Sequence, residues 1–239
     1  MLAFTCLING VGWILLTLEL FEKSYWTTVI LHLMGVTALC SQWSYNFSTI
    51  AVFLQRIFFL CFPAKNTRRL NLILLTSNLS LCVSLTVVNF AMNIGLANFN
   101  VKTVAPGCYS FNCMSSQVRG LWILFAYTII SSSIAIVVLG SILQFLMRRY
   151  RTHFKSSVNV QINKFTSCLF YLRVVLEIFP FLVDAVLLKS AGISLGKYIG
   201  PFGALGASAD VFFCTCIYYY MVRKSGKNRK TSHTASRNQ

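Results

Sequence analysis

Long uncharged runs alternate along the whole chain with short polar segments rich in Lys and Arg. The longest lies between Tyr25 and Arg56, where about 30 residues pass without Lys, Arg, Asp or Glu, against the roughly 20 that cross a bilayer. A helix of that length must tilt or project beyond the hydrocarbon. The pattern predicts six apolar spans, over residues 1–20, 27–62, 70–97, 120–147, 165–188 and 198–222. A polar loop covers 98–118, and a second polar stretch runs from Arg148 to Lys164. The tail, 223–239, is polar and basic and is expected to be disordered. Residues 1–20 could instead be a signal peptide, but they have no basic start and no small-residue cleavage site before Glu19, which favours a retained helix. The expected fold class is all-α, a polytopic membrane helix bundle of six transmembrane helices.

Composition agrees. The chain has 239 residues, 56% hydrophobic and only 11% charged, where a soluble domain carries about 25% charged residues. The formal charge of +16 does not indicate nucleic acid, because the basic residues flank apolar spans and no soluble domain presents a basic face. Membrane lipid is the expected surrounding.

Charge placement gives an orientation. Residues 62–70 hold three Lys or Arg, residues 148–164 hold five and residues 223–239 hold six, which is fourteen of the 21. These segments contain no acid. By the positive-inside rule they are cytoplasmic, the carboxy end included, and the loop with Cys108 and Cys113 is outside. Counting back through six spans puts Met1 inside as well.

Charges inside the spans are the main candidates for function, because they are costly there and normally face the bundle interior. Arg173 and Glu177 are four apart, share a helix face and can pair. Asp184 lies seven residues beyond Glu177, on about the same face, and Asp210 sits mid-span in the last helix. Two readings stay open: a structural ion pair, or a pocket or activation relay built from Arg173, Glu177, Asp184 and Asp210. Pro180 should kink the fifth span and could act as a hinge. Cys108 and Cys113 enclose four residues in the outer loop. An oxidising exterior permits a local disulfide there, and two free thiols are the alternative. Asn46-Phe47-Ser48 and Asn78-Leu79-Ser80 fit the glycosylation pattern but lie within spans.

Two stretches carry a family resemblance: Gln55-Arg56-Ile57 through Phe62-Pro63, and Pro106-Gly107-Cys108-Tyr109-Ser110-Phe111-Asn112-Cys113. The pattern resembles the nematode serpentine chemoreceptors, seven-helix receptors of the G-protein-coupled type, and looks most like their Srbc class. The resemblance covers nearly the whole chain, with the six spans matching helices two to seven and the first helix absent. It implies a chemosensory receptor in the plasma or ciliary membrane of sensory neurons, with a small-molecule ligand and a heterotrimeric G protein as partners. In such receptors an acid–arginine pair ends the third helix and faces the G protein on activation. Here Arg56 is the arginine, but Gln55 stands at the acid position; it can hydrogen-bond Arg56 but cannot pair with its charge, which weakens an ionic lock. Arg56 could instead simply snorkel to the headgroups. Pro63, Arg148 and Arg149 complete the face expected toward the G protein, and Pro180 matches the hinge of the sixth helix.

Other classes fit less well. A small transporter or channel would favour internal repeats or paired broken helices, and residues 1–118 and 119–239 show no repeat. An enzyme is not expected: there is no His-Glu-x-x-His and no Gly-x-Ser-x-Gly. The three histidines have no metal-ligand spacing, so neither metal nor cofactor is expected. A chain without the first helix could also insert in the membrane and not signal.

Overall fold

A computed structural model describes residues 2–20, 25–62, 67–96, 119–150, 157–191 and 202–237. These are helical almost throughout: α1 (Leu2–Thr17), α2 (Tyr25–Cys61), α3 (Thr67–Leu96), α4 (Arg119–Arg149), α5 (Ser157–Arg173), a π turn (Val174–Ile178), α6 (Phe179–Ala191) and α7 (Phe202–Arg237). No strand occurs among the described residues. Among the described residues, three segments are long and apolar enough to cross a membrane: Arg68–Asn93, Tyr127–Arg149 and Gln161–Asp184.

The long helix α2 is not among those three. It is continuous over 37 residues, as its uncharged run predicts, but Ser41, Gln42, Ser44, Asn46, Ser48 and Gln55 make it too polar. Much of that polarity is spent inside the bundle, as shown below. At 16 residues, α1 falls short of the roughly 20 that span a bilayer. It ends in a Schellman-type turn: the Leu20 N–H reaches back to the Leu15 carbonyl at 2.9 Å, with Glu19 in the left-handed region at φ 56°.

The last helix differs from the expectation for the tail. It continues unbroken through Arg237, across the segment expected to be disordered. That segment has no proline to stop the helix that enters it from the last span.

The helices pack in a closed circuit. α2 touches α1 and α4, α1 touches α7, and α5 with the π turn bridges α7 and α4. α3 lies outside this circuit against α2 and α4, and its Leu72, Leu75, Leu79 and Val83 are exposed. Paired contacts fix the directions. Gln55 with Asn71, and Ser48 with Asn78, make α2 and α3 antiparallel. Ser167 with Gln144, and Phe170 against Gly140, do the same for α4 and α5. Arg56 of α2, Arg68 and Arg69 at the start of α3, Arg148 and Arg149 at the end of α4, and the start of α5 therefore gather at one end of the bundle.

The apolar core is built near that end from Phe53 and Leu60 of α2, Ile136 and Leu143 of α4, Leu169 and Phe170 of α5, Ile178 of the π turn and Cys214 of α7. Phe53 and Phe170 meet edge to face, with centroids 6.3 Å apart. Gly140 makes this possible, since a Cβ there would lie 2.1 Å from the Phe170 ring.

Candidate functional site

One turn of α2 above this core, the interior becomes polar. Its centre is Arg173, the last residue of α5, whose side chain is 0% exposed. Placing a guanidinium there requires partners for most of its five N–H groups. Nη1 donates to Asn46 Oδ1 and, at 2.5 Å, to Glu177 Oε2. Nη2 donates to Thr49 Oγ1 at 3.0 Å. Nε lies 3.0 Å from Asp210 Oδ2, an ion pair whose approach is too far off the N–H axis to be a hydrogen bond. The Tyr45 ring covers the cation, with Cζ 3.7 Å from its centroid.

The shell continues outward. Gln42 Nε2 donates to Glu177 Oε1 at 2.8 Å, so both Glu177 oxygens are engaged. Asn46 Nδ2 donates to Ser132 Oγ of α4 at 3.3 Å. The Cys214 thiol lies 3.5 Å from Asp210 Oδ1. Four parts of the fold thus meet at one cation: α2 through Gln42, Asn46 and Thr49, α4 through Ser132, the π turn through Glu177, and α7 through Asp210.

The π turn has a local cause. Pro180 has no N–H for the Leu176 carbonyl, and its ring would clash with that carbonyl in a regular helix. The chain widens by one residue instead, and the Phe179 N–H bonds to Val174. A π turn is what the structure shows ahead of Pro180. Within the wide turn Glu177 keeps its i, i+4 contact with the Arg173 side chain, and the Leu176 carbonyl stands against α7 at Gly206.

Of the residues singled out in the sequence, Arg173, Glu177 and Asp210 come together as an interior cluster. Asp184 does not join them: it lies half-buried on α6. Gln55 is turned away from the expected partner, donating from Nε2 to Asn71 Oδ1 of α3 at 2.9 Å, while Arg56 is half-buried on α2. Arg148 and Arg149 end α4 and are exposed. Pro63, Cys108 and Cys113 lie outside the described residues, so the Cys108–Cys113 pairing stays with the sequence. No group of three or more His, Cys, Asp or Glu among the described residues could hold a metal.

Gln42, Asn46, Thr49, Tyr45, Ser132 and Cys214 are not among the expected site residues, Asn46 being marked only by its glycosylation pattern. The first three recur at i, i+4 and i+7, one face of a helix. That signal was legible, but polar uncharged residues in an apolar run draw less notice than charges. Both asparagines of the glycosylation patterns prove to be interhelical pegs: Asn46 reaches Ser132, and Asn78 Nδ2 donates to Ser48 Oγ at 3.1 Å. A second buried polar group ties α3 to α2, where Asn89 Nδ2 lies 3.1 Å from Cys40 Sγ and Asn93 donates to Asn89 Oδ1 at 2.9 Å.

No family model, curated protein or solved structure matches the chain.

Proposed function

We propose that the chain is a chemosensory receptor of the G-protein-coupled type, in which an external small molecule shifts a helix equilibrium read by a cytoplasmic G protein. In this reading its six spans correspond to the second to seventh helices of a nematode serpentine receptor of the Srbc kind. It sits in the plasma or ciliary membrane of sensory neurons with its carboxy end in the cytoplasm. The observation that carries the proposal is the Arg173 cluster. It clamps α2, the π turn and α7 together at the level where α5 and α6 are interrupted. In this reading the clamped, interrupted helix is the element that a ligand biases, by as much as its preference for one state. Arg56, Arg68, Arg69, Arg148 and Arg149 gather at the end of the bundle away from the expected ligand entry, where a G protein would read the shift.

The test is a second-messenger assay in cells expressing the chain at the surface, screened against a panel of small odorants. A response that disappears in Arg56→Ala, with surface expression retained, supports the reading. Normal surface expression with no response to any ligand or coupled G protein leaves a non-signalling membrane protein instead. Glycosylation-acceptor tags before Met1 and after Gln239 check the span count, since six crossings keep both unmodified.

A transporter or channel is the second reading, and the interrupted helix beside a buried Arg–Glu–Asp set is what favours it. Uptake of substrate into proteoliposomes, absent from empty vesicles, would replace the receptor proposal.

A further inference from the structure

We propose that Asp210 carries an exchangeable proton, so that the Arg173 cluster is a proton-binding site connecting α5 to α7. The inference goes beyond the receptor reading and stands equally for a transporter.

Charge balance is the starting point. The buried cluster contains one cation, Arg173, and two carboxylates, Glu177 and Asp210. If both acids are ionised, the cluster holds a net negative charge, and no further cation pairs with it among the described residues. Such a charge is costly in low dielectric. One proton makes the cluster neutral.

Geometry decides which acid takes it. Glu177 keeps 12% of its side chain exposed. Both of its oxygens accept directed hydrogen bonds, one from the Arg173 guanidinium and one from the Gln42 amide. That surrounding suits a carboxylate. Asp210 is 0% exposed. Its Oδ1 meets the weak thiol donor of Cys214, the Tyr45 phenol stands near it without a well-directed hydrogen bond, and its Oδ2 meets Arg173 Nε off the N–H axis. Asp210 is therefore the worse-solvated anion of the two.

Among the described residues, the elements packed against Asp210 bring no cation besides Arg173, which Glu177 already balances. α5 brings Arg173 and the thiol of Cys168, the π turn brings Glu177, and α2 brings the Tyr45 phenol. The Cys214 thiol is on α7 itself. α1 carries no acid or base, Cys6 being its one titratable side chain. On α6 the charged residues are Asp184 and Lys189. Asp184 lies eight residues past Leu176, about 12 Å farther along the axis. A metal ion is a poorer candidate than a proton, because no described group has three acid, His or Cys side chains together.

The step is a simple one. A proton from water adds to a carboxylate oxygen of Asp210 to give the neutral acid, and no electrons move. Arg173 is then balanced by Glu177 alone. When the proton leaves, two carboxylates share one guanidinium, and α7 is held to α5 by charge. Proton occupancy thus sets how firmly the last helix is tied to the helix with the π turn.

The chain has only two aspartates, Asp184 and Asp210, which makes the test direct. The protein is placed in lipid nanodiscs and its infrared spectrum recorded across pH, with and without aspartate labelled with carbon-13 at the side-chain carboxyl. The proposal expects a protonated-carboxyl C=O stretch at neutral pH that shifts in D2O and shifts again with the label. The stretch should persist in Asp184→Asn and be lost in Asp210→Asn. It should give way to a carboxylate band in alkaline buffer. If Asp210→Asn does not fold, the labelled wild type and Asp184→Asn assign the band without it. The proposal is overturned if no such band exists from neutral to mildly acidic pH, if the band ignores the label and so belongs to a glutamate, or if it vanishes in a folded Asp184→Asn.

Discussion

Gly206 stands directly against the main-chain carbonyl of Leu176: a Cβ at position 206 would come within 2.1 Å of that oxygen. The carbonyl is available because Pro180 has no N–H to give it. A residue missing a donor on one helix is thus met by a residue missing a side chain on another.

Gly206→Ala should destabilise the bundle by about 1–3 kcal/mol, because backbone rather than a movable side chain must give way. Gly95→Ala is the control, since nothing lies within 4 Å of a Cβ there. It should be neutral or slightly stabilising through helix propensity. Thermal unfolding in detergent micelles, followed by circular dichroism, separates the two. Equal melting temperatures would mean that α7 and the π turn are not in contact.

Arg173→Met should cost about 3–5 kcal/mol, because it leaves the Glu177 carboxylate, and Asp210 beside it, without their cation. Asp210→Asn should cost much less, about 1 kcal/mol, as it leaves Arg173 matched one to one with Glu177. Arg173→Lys should resemble Arg173→Met more than wild type, since an ammonium lacks the planar fork that reaches Asn46, Thr49 and Glu177 together. The order of the three melting temperatures is the measurement; Asp210→Asn falling lowest would show that α7 depends on the charge rather than on neutrality.

Asn46→Leu leaves the Ser132 hydroxyl without its amide donor and Arg173 without an acceptor. The expected loss is about 1–3 kcal/mol. A double-mutant cycle with Ser132→Ala should give a coupling of at least about 0.5 kcal/mol, as directly bonded residues do. Zero coupling would mean that the two side chains do not meet.

Gln55→Ala removes only an exposed hydrogen bond to Asn71. It should change the melting temperature little, by the equivalent of about 0.5 kcal/mol or less. A large loss would place Gln55 in the packing between α2 and α3 rather than at their surface.

Much of this arrangement was legible in the sequence. The i, i+4 spacing of Arg173 and Glu177 sets their pairing, and the cost of a mid-span charge sends Asp210 inward. Asp184 shows the limit of such spacing. A seven-residue interval assumes an uninterrupted α-helix, and the π turn lies at the start of that interval. The partner of Gln55 was hidden for another reason. Adjacent residues on a helix do not face each other, so the amide beside Arg56 bonds across to α3 instead. The polar face of α2 was visible as Gln42, Asn46 and Thr49, but its occupant could be named only once α5 was placed beside it.

The π turn also sets the phase of everything after it. Tyr171, Val175, Phe179, Leu182 and Val186 form one continuous exposed stripe running through the wide turn into α6. Tightening that turn to ordinary α geometry would drop one residue from the winding and rotate α6 by about 100° relative to α5. Phe179, Leu182 and Val186 would leave the outer surface, and another set of side chains would take their place. The five residues that close over Arg173 therefore act as a phase marker, deciding which side of α6 faces outward.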